Sequence, residues 1–268
     1  MTIKRNTSQS EQMREKGYVT FKSVLTPEEI DKLRKAVSNY FEKEGRYLDF
    51  GKTQPDAFAK LPDIRWVLCH EGILDAVRKA IGSDDLRYTY HSDIHKNVLG
   101  NWHTDTQAYF TAEEVLTDQF RVFKVGIYLQ DHSENTQGLT VCEGSQDTGV
   151  IDSVHVKPVP TSAGDIIVFD VRILHHGDMK NFAEKVIGKV VRSNGVKYRI
   201  NSWTRAMLGR TDKLSLFFTF GVNNGTTREF AVRNMARQNK QNGVSSGVES
   251  DLELAELLKK SSVTPVSV

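Results

Sequence analysis

Two histidines and one aspartate of this chain have the side-chain types and the spacing of a metal site. His103 and Asp105 stand two residues apart in the segment Asn101-Trp-His-Thr-Asp-Thr-Gln107. Side chains at i and i+2 of an extended strand point to the same face, so both can reach one metal ion. An apolar, strand-like segment at 165–174 ends directly at His175. Two histidines and one carboxylate leave three positions of an octahedral metal open, which is typical of non-haem iron(II) oxygenases that bind a cosubstrate and dioxygen together.

Two adjacent histidines compete for the third ligand position. Positions 167, 169, 171, 173 and 175 carry Ile, Phe, Val, Ile and His, whereas the alternate positions carry Asp170 and Arg172. A ligand to a metal inside a barrel is expected on the apolar, inward face of its strand. Strand parity therefore favours His175 and makes His176 a flanking residue, and a bulge near the strand end would reverse the choice.

Length and composition limit the class of protein. The chain has 268 residues, of which 38% are hydrophobic, enough to bury a full core in one domain. Its two cysteines, Cys69 and Cys142, form neither a disulfide framework nor a CxxC zinc motif. The first ten residues have no apolar signal region, and no stretch of about 18 apolar residues exists to span a bilayer. We expect a soluble, cytoplasmic protein without a membrane partner.

The formal net charge of +2 does not by itself indicate nucleic-acid binding. Basic residues do gather between Lys180 and Lys213. This local excess could meet an anion, such as a carboxylate or phosphate of a substrate, and an ordinary solvated loop is the alternative. The expected partner is a small-molecule substrate, with an anionic group as one option, and no nucleic acid; the oligomeric state is left open.

Helices are predicted before the metal motif and strands around it. Thr26, Pro27 and Glu29 form a capping box at the start of an amphipathic helix, and a second helix is predicted from Glu71 to Ile81. Strand-like patterns occur at 17–25, 87–94, 121–129, 138–142, 165–174, 198–204 and 214–220. Short strands with turn-rich connections predict a sandwich or a jelly roll.

The C-terminal part is predicted to be peripheral. The polar stretch from Gln238 to Ser250 has the composition of a linker, and Asp251 to Lys260 is predicted as a short amphipathic helix. We interpret 1–268 as a single domain with a barrel core at about 86–221, a helical N-terminal part at 17–85 and a tail at 236–268. Phosphate-loop, dinucleotide-binding and GxSxG motifs are absent from the sequence.

From Gly17 to about Gly225 the chain resembles the phytanoyl-CoA hydroxylase-like family of iron(II)/2-oxoglutarate-dependent dioxygenases. Four segments match the motifs of that family in its own order. They are the opening strand and helix (17–29), the first metal motif Trp102-His103-Thr-Asp105, the central hairpin (128–145) and the second metal motif Phe169-Asp-Val-Arg-Ile-Leu-His175. The Phe-Asp-x-Arg-x-x-His spacing usual in the family also selects His175.

The resemblance implies a mainly β fold with flanking helices, namely a double-stranded β-helix of the jelly-roll, cupin-like type. It implies iron(II) held by His103, Asp105 and His175, with 2-oxoglutarate and O2 as cosubstrates and succinate and CO2 as coproducts. No catalytic residue beyond the metal ligands is expected. A carboxylate at position 105 favours hydroxylation over halogenation, because related halogenases have a small residue there; desaturation, ring closure and epimerisation stay open.

One departure from the family concerns the cation for the far carboxylate of 2-oxoglutarate. The family pattern is an arginine two residues before a serine, and the matching segment here is Lys213-Leu214-Ser215. Lysine supplies the charge but not the bidentate fork. The expected cosubstrate residues are Lys213 and Ser215, with Arg210 or Arg199 as alternative cations. Lys96 resembles a family lysine that approaches the cosubstrate, and a solvated strand lysine is its alternative interpretation.

Two other classes of function compete with a hydroxylase of a small molecule. A cupin-like barrel that binds a metal or ligand without oxidation is compatible with the departure at Lys213, and succinate formation would separate the two. A zinc-dependent hydrolase or isomerase on the same three ligands would keep its activity with zinc and without dioxygen.

Overall fold

Strands occupy most of the middle of the chain, with helices before, between and after them. The computed structural model describes residues 8–132, 138–243, 252–261 and 263–267. The helices are α1 (Gln9–Lys16), α2 (Pro27–Lys43), α3 (Ala57–Lys60), α4 (Glu71–Ile81), α5 (Ala112–Val115), α6 (Phe182–Val190), α7 (Asn194–Met207), α8 (Gly225–Asn242) and α9 (Leu252–Lys260), with 3-10 segments at Pro62–Cys69 and Ser153–His155.

The strands form three sheets that surround one cavity. They are β1 (Tyr18–Phe21), β2 (Arg46–Leu48), β3 (Gly51–Pro55), β4 (Leu86–Lys96), β5 (Leu99–Gly100), β6 (Val122–Tyr128), β7 (Leu139–Cys142), β8 (Val156–Val159), β9 (Ile166–Asp170), β10 (His175–His176), β11 (Asp178–Met179), β12 (Leu214–Val222) and β13 (Thr264–Pro265). The large sheet has the order β1-β9-β6-β12-β4-β3-β2, with β13 beside β4; the smaller sheets are β10-β7-β8 and β11-β5.

The large sheet has a helix-covered face and a face toward the cavity. The apolar sides of α2 and α4 pack on the first face, with Leu33, Val37 and Val77 fully buried in the main core. A second, smaller core lies between the large sheet and the β10-β7-β8 sheet and includes Val141 and Phe169. Nearly all strand pairs are antiparallel, and the predicted mainly β architecture with flanking helices is what the chain forms.

Both predicted N-terminal helices are present. The Thr26 hydroxyl accepts the Glu29 backbone N–H at 3.2 Å, and the Glu29 carboxylate accepts the Thr26 N–H at 2.8 Å, which is the predicted capping box. Helix α4 begins at Glu71 and ends at Ile81, followed by Gly82 at φ +67°. Glycine adopts this left-handed conformation at no steric cost, so the helix ends there.

The prediction of a strand at 198–204 is wrong, because this segment lies in helix α7. Within seven residues Tyr198 and Ile200 alternate with polar residues like a strand. Over a longer window, Val196, Ile200, Trp203 and Met207 recur at intervals of three and four, which is the helical period. The seven-residue window was too short to distinguish the two patterns.

The predicted linker from Gln238 is wrong at its start, because α8 continues to Asn242. Polar residues face the protein interior from this helix: Asn234 and Gln238 are buried, and Gln238 Nε2 donates to the Tyr90 carbonyl at 3.0 Å. Because the buried face of α8 is polar at this end, the sequence shows no hydrophobic periodicity there, and its polar composition resembled that of a linker. The remainder of the predicted linker, 244–250, lies outside the described residues, and the helix predicted at 251–260 is α9.

Two further expectations about the barrel need correction. Strands β6 and β7, predicted as a central hairpin, belong to different sheets, so the connection between them crosses from one sheet to the other. Strands β1, β2 and β3 of the N-terminal part join the large sheet, so the barrel is not confined to 86–221. That the chain is a single domain stays a prediction.

Candidate metal centre and its cavity

Backbone hydrogen bonds bring His103, Asp105 and His175 together. The N–H of His103 donates to the carbonyl of His175 and the N–H of His175 donates to that of His103, both at 3.0 Å. The N–H of Asp105 donates to the carbonyl of Val171 at 2.9 Å. One candidate ligand atom from each of the three side chains lies within 4.8 Å of the other two. Main-chain hydrogen bonds thus hold the three residues next to one another.

The ring orientation of both histidines suits a metal. Nδ1 of His103 donates to the Asn101 carbonyl at 2.8 Å, and Nδ1 of His175 donates to the Ile173 carbonyl at 3.0 Å. A carbonyl only accepts hydrogen bonds, so Nδ1 carries the proton in each ring and Nε2 keeps its lone pair. Burial lowers the pKa of His175 to about 4, so this ring is neutral at pH 7, as a metal ligand must be.

Asp105 has one oxygen engaged and one without a partner. Its Oδ1 accepts from Nζ of Lys124 at 2.6 Å, whereas Oδ2 is buried without a hydrogen-bond partner among the described residues. Burial acts to raise the pKa of Asp105, but Lys124 and the two histidines outweigh it and hold the pKa well below its usual range. A buried, ionised oxygen without a partner is costly unless a cation takes it. The three residues therefore fit a divalent metal ion.

A turn, rather than a continuous strand, delivers His175. Strand β9 ends at Asp170, and Arg172 grips the Asp170 carboxylate through Nε at 2.9 Å and Nη2 at 2.7 Å. This bidentate pair holds the turn that leads to β10. His176 lies elsewhere, with its ring 4.5 Å from that of Trp102. His175 is thus the histidine beside His103, although the predicted strand breaks before reaching it.

The three residues line a cavity of about 440 Å³ that has a polar wall on either side. On one side lie Lys213, Ser215, Tyr128, Gln130 and His132. On the other side lie His91, Asp93, Tyr109 and Arg237, whereas His95 is the strand partner of Ser215. Aromatic rings lie between them: that of Phe169 is 5.1 Å from the His175 ring, and Phe217 also lines the cavity.

Lys213 and Ser215, two of the predicted cosubstrate residues, do line the cavity. Nζ of Lys213 bonds to Oδ2 of Asp178, and burial lowers the pKa of the lysine while Asp178 opposes this shift. Next to them, His132 is buried, its Nδ1 has no hydrogen-bond partner in the described part of the chain, and burial lowers its pKa to about 4. This side of the cavity therefore offers a cation, a hydroxyl and an imidazole.

Lys96 and Arg210, the other two predicted cosubstrate residues, do not line the cavity. Alternate residues of β4 face the cavity, including Asp93 and His95, so Lys96 falls on the opposite face, where Nζ bonds to Asp212 at 2.7 Å. Arg210 is exposed, as is the alternative cation Arg199 on α7.

Sequence reasoning missed Lys124, His91, Asp93 and Arg237, among other polar residues of the cavity. Lys124 is a lone charge inside the apolar strand β6, an arrangement that itself signals an inward-facing functional group. His91 and Asp93 belong to a His-x-Asp-x-His run on β4 whose period of two was visible in the sequence. Their side chains bond to each other at 2.8 Å, and Arg237 of α8 lies 3.7 Å from Asp93. Only Arg237 gave no local signal, because a helix 144 residues away supplies it.

A barrel of antiparallel strands that carries two histidines and one carboxylate in its cavity is the construction of the non-haem iron oxygenases. The chain belongs to the phytanoyl-CoA dioxygenase (PhyH) family, whose sequence profile matches residues 13–179 and thus contains all three candidate ligands. The predicted family resemblance is confirmed. No curated protein sequence matches the chain significantly.

Several solved structures of similar shape support the same fold. The epimerase SnoN, in complex with Fe3+ and alpha ketoglutarate, is 16% identical with a TM-score of 0.58, over 83% of this chain and 87% of that one. HygX from Streptomyces hygroscopicus, with nickel and 2-oxoglutarate, is 13% identical with a TM-score of 0.56, over 80% and 86%. EctD from S. alaskensis is 14% identical with a TM-score of 0.56, over 83% and 78%. The likeness confirms the predicted jelly-roll, cupin-like fold.

No helix in the described part of the chain is both long enough and apolar enough to cross a membrane.

Proposed function

We propose that the chain is an iron(II)- and 2-oxoglutarate-dependent dioxygenase that hydroxylates a C–H bond of a polar small molecule. The observation that carries the proposal is the group His103, Asp105 and His175, with ligand atoms within 4.8 Å of one another and one buried carboxylate oxygen without a partner in the described chain. When bound, iron and 2-oxoglutarate supply the oxidising chemistry, in which dioxygen is consumed, succinate and CO2 are released and one oxygen atom enters the substrate.

The residues around the candidate ligands orient them and exclude water. Lys124 occupies Oδ1 of Asp105, so that only Oδ2 is left to meet a cation. The two histidine rings are held by main-chain carbonyls and need not reorient when a metal binds. The rings of Phe169 and Phe217 flank Lys124, with centroids 6.0 Å and 5.6 Å from its Nζ, and shield this part of the cavity from bulk water.

Lys213 and Ser215 are the proposed partners of the far carboxylate of 2-oxoglutarate. Both line the same cavity as the candidate metal ligands, and the ammonium of Lys213 is bonded to Asp178. A carboxylate of the cosubstrate would have to share or displace Asp178, so we expect weaker cosubstrate binding than an arginine fork would give. Burial raises the pKa of Asp178, and the ammonium of Lys213 opposes this shift.

The opposite wall supports a polar substrate. Asp93 and Arg237 place opposite charges 3.7 Å apart, and His91 and Tyr109 stand beside them. Such a wall suits hydroxyl, amine or carboxylate groups rather than an alkyl chain. Two of the similar structures hold polar small molecules, hygromycin B in HygX and 5-hydroxyectoine in EctD.

Oxidation without hydroxylation is the second candidate outcome. The similar structures include SnoN, an epimerase, and SnoK, a carbocyclase, both described as alpha ketoglutarate dependent. The same cavity could therefore support hydrogen abstraction with a different fate of the substrate. Product analysis by mass, with a gain of one oxygen atom or none, separates the two outcomes.

The first experiment is anaerobic addition of iron(II) and then 2-oxoglutarate to metal-free protein, with visible spectroscopy. A weak charge-transfer band is expected on the second addition, and an Asp105→Ala variant should not develop it. Iron binding without the band in the parent protein would favour the non-oxidative cupin-like alternative. Activity that persists with zinc and without dioxygen would favour the hydrolase or isomerase alternative.

A further inference from the structure

Helices α6 and α7 follow one another in the segment between β11 and β12, and each presents apolar residues to solvent. These two consecutive helices are called the helix pair below. On α6, Phe182, Val186 and Val190 recur every four residues and are all exposed, Phe182 by 83%. On α7, Trp203 and Met207 are exposed by 66% and 68%. A surface helix normally turns its apolar stripe toward the core, so this orientation is inverted. Large exposed apolar patches in folded proteins mark sites of interaction.

The same pair concentrates positive charge. Residues 180–213 contain nine lysines and arginines and two acids, a formal excess of seven, whereas the whole chain carries +2. Lys185 and Lys189 lie beside the apolar stripe of α6, and Arg199 lies beside that of α7. Of the nine basic residues only Lys213 lines the cavity, and Lys180 and Lys197 pair with Asp49. Five are exposed to solvent: Lys185, Lys189, Arg192, Arg199 and Arg210.

The opposite side of the helix pair is attached to the β2–β3 turn. Asn201, the buried residue of α7, donates from Nδ2 to the Phe50 carbonyl at 2.9 Å, and Lys180 bonds to Asp49 at 2.6 Å. The rings of Tyr198 and Tyr47 lie 5.4 Å apart. Tyr47 also lines the cavity, so the helix pair stands at the cavity mouth with its apolar stripes turned outward.

We propose that the exposed face of α6 and α7 attaches the protein to the surface of an anionic phospholipid bilayer. The apolar stripes with Phe182 and Trp203 would enter the headgroup region, and the flanking lysines and arginines would meet the anionic headgroups, as in interfacial amphipathic helices. A second copy of the chain does not suit this face, because a symmetric contact would oppose two patches of like charge.

This attachment is independent of the proposed oxidation. It also differs from the expectation of no membrane partner, which rested on the lack of a spanning segment. Attachment to a surface needs no such segment. The position of the pair at the cavity mouth would set the entrance of the candidate active site against the bilayer.

The test is sedimentation of the full-length protein with vesicles of phosphatidylcholine, with and without phosphatidylserine. We expect binding only to the vesicles with phosphatidylserine, weakened by salt because exposed charges are screened. The double variant Lys185→Glu/Lys189→Glu should bind at least about tenfold more weakly. Phe182→Ser/Trp203→Ser should also lose binding, while both variants retain iron and the parental circular-dichroism spectrum.

Lys35→Glu/Lys43→Glu is the matched control, since both residues are exposed lysines on α2 and the change in net charge is the same. It should bind vesicles like the parent. The proposal would be overturned by parental binding of both helix-pair variants, by equal binding to vesicles without phosphatidylserine, or by no binding at all. A dimer in light scattering that Phe182→Ser/Trp203→Ser dissociates would assign the face to a second copy instead.

Discussion

The cavity has a candidate metal side, with His103, Asp105 and His175, and a proposed cosubstrate side, with Lys213 and Ser215. The two sides differ in how their polar groups are satisfied. At the metal side, main-chain carbonyls hold the rings of His103 and His175, and Asp105 keeps one buried oxygen without a partner among the described residues. At the cosubstrate side, Lys213 is already bonded to Asp178. One side is organised in advance for a cation, whereas the other must exchange a protein partner for a ligand.

This difference predicts how the affinities for iron and for 2-oxoglutarate should respond to substitutions. A preformed ligand set binds metal without reorganisation, because the backbone has already brought the three side chains together on folding. Because Lys213 already pairs with Asp178, a cosubstrate carboxylate gains only the difference in free energy between its own ion pair with Lys213 and the one it replaces. One substitution among the candidate metal ligands should therefore cause a large loss of iron binding. One substitution on the cosubstrate side should cause a smaller loss of 2-oxoglutarate binding.

The largest effect is expected at His175. His175→Ala removes one of three candidate ligands and should abolish iron binding at micromolar metal and reduce turnover by at least about 10²-fold. His176→Ala is the matched control and should retain iron, since that ring lies against Trp102. Iron content after gel filtration measures both. A greater loss of iron in His176→Ala would overturn the ligand assignment.

Substitution of Lys124 tests whether the Asp105 carboxylate destabilises the folded protein when no metal is bound. In Lys124→Met, Oδ1 of Asp105 loses its ion pair while Oδ2 stays without a partner, so the free energy of unfolding of the metal-free protein should fall by about 3–5 kcal/mol. A bound divalent metal should restore part of it. Chemical denaturation with and without Mn²⁺ measures the change, with Lys124→Met/Asp105→Asn as the control that should recover stability. Unchanged stability of the metal-free single variant would contradict this description of Asp105.

Lys213 tests the cosubstrate side. Lys213→Ala should raise the KM for 2-oxoglutarate by about 10- to 100-fold, the value of one charge-assisted hydrogen bond, and leave iron binding intact. Lys96→Ala is the control, because Lys96 does not line the cavity. Succinate release at graded 2-oxoglutarate measures both. If Lys213→Ala leaves the dependence on 2-oxoglutarate unchanged, the assignment of this residue is wrong.

The smallest effect is a dependence of stability on pH to which two histidines of the cavity contribute. Burial lowers the pKa of His132 and that of His95 to about 4, from 6.5. The unfolded chain therefore takes up these protons at a higher pH than the folded chain. The stability they contribute is complete above pH 6.5 and is lost as the pH falls toward 4, by a few kcal/mol in all. Denaturation midpoints between pH 7 and 4.5 measure this, and His95→Gln should flatten the slope; an unaltered slope would argue against a neutral His95 in the folded protein.

Several elements were predictable because their signals are local. Helix α2 begins at the predicted capping box, and α4 has both of its predicted ends. The segment 198–204 failed because seven residues do not separate a period of two from one of 3.6. The C-terminal end of α8 failed because its buried face is polar and hydrogen-bonded to β4.

The sequence by itself predicted the three candidate metal ligands. His103 and Asp105 share a face through the local geometry of an extended chain, and His175 follows the motif of the family to which the chain belongs. Tertiary structure decided the rest: the pairing of Lys124 with Asp105, the bond between Lys213 and Asp178, and the outward turn of α6 and α7. These contacts join residues that are far apart along the chain or depend on which surface a helix meets. The local spacing and propensities of residues predict neither the long-range contacts nor the surface that a helix packs on.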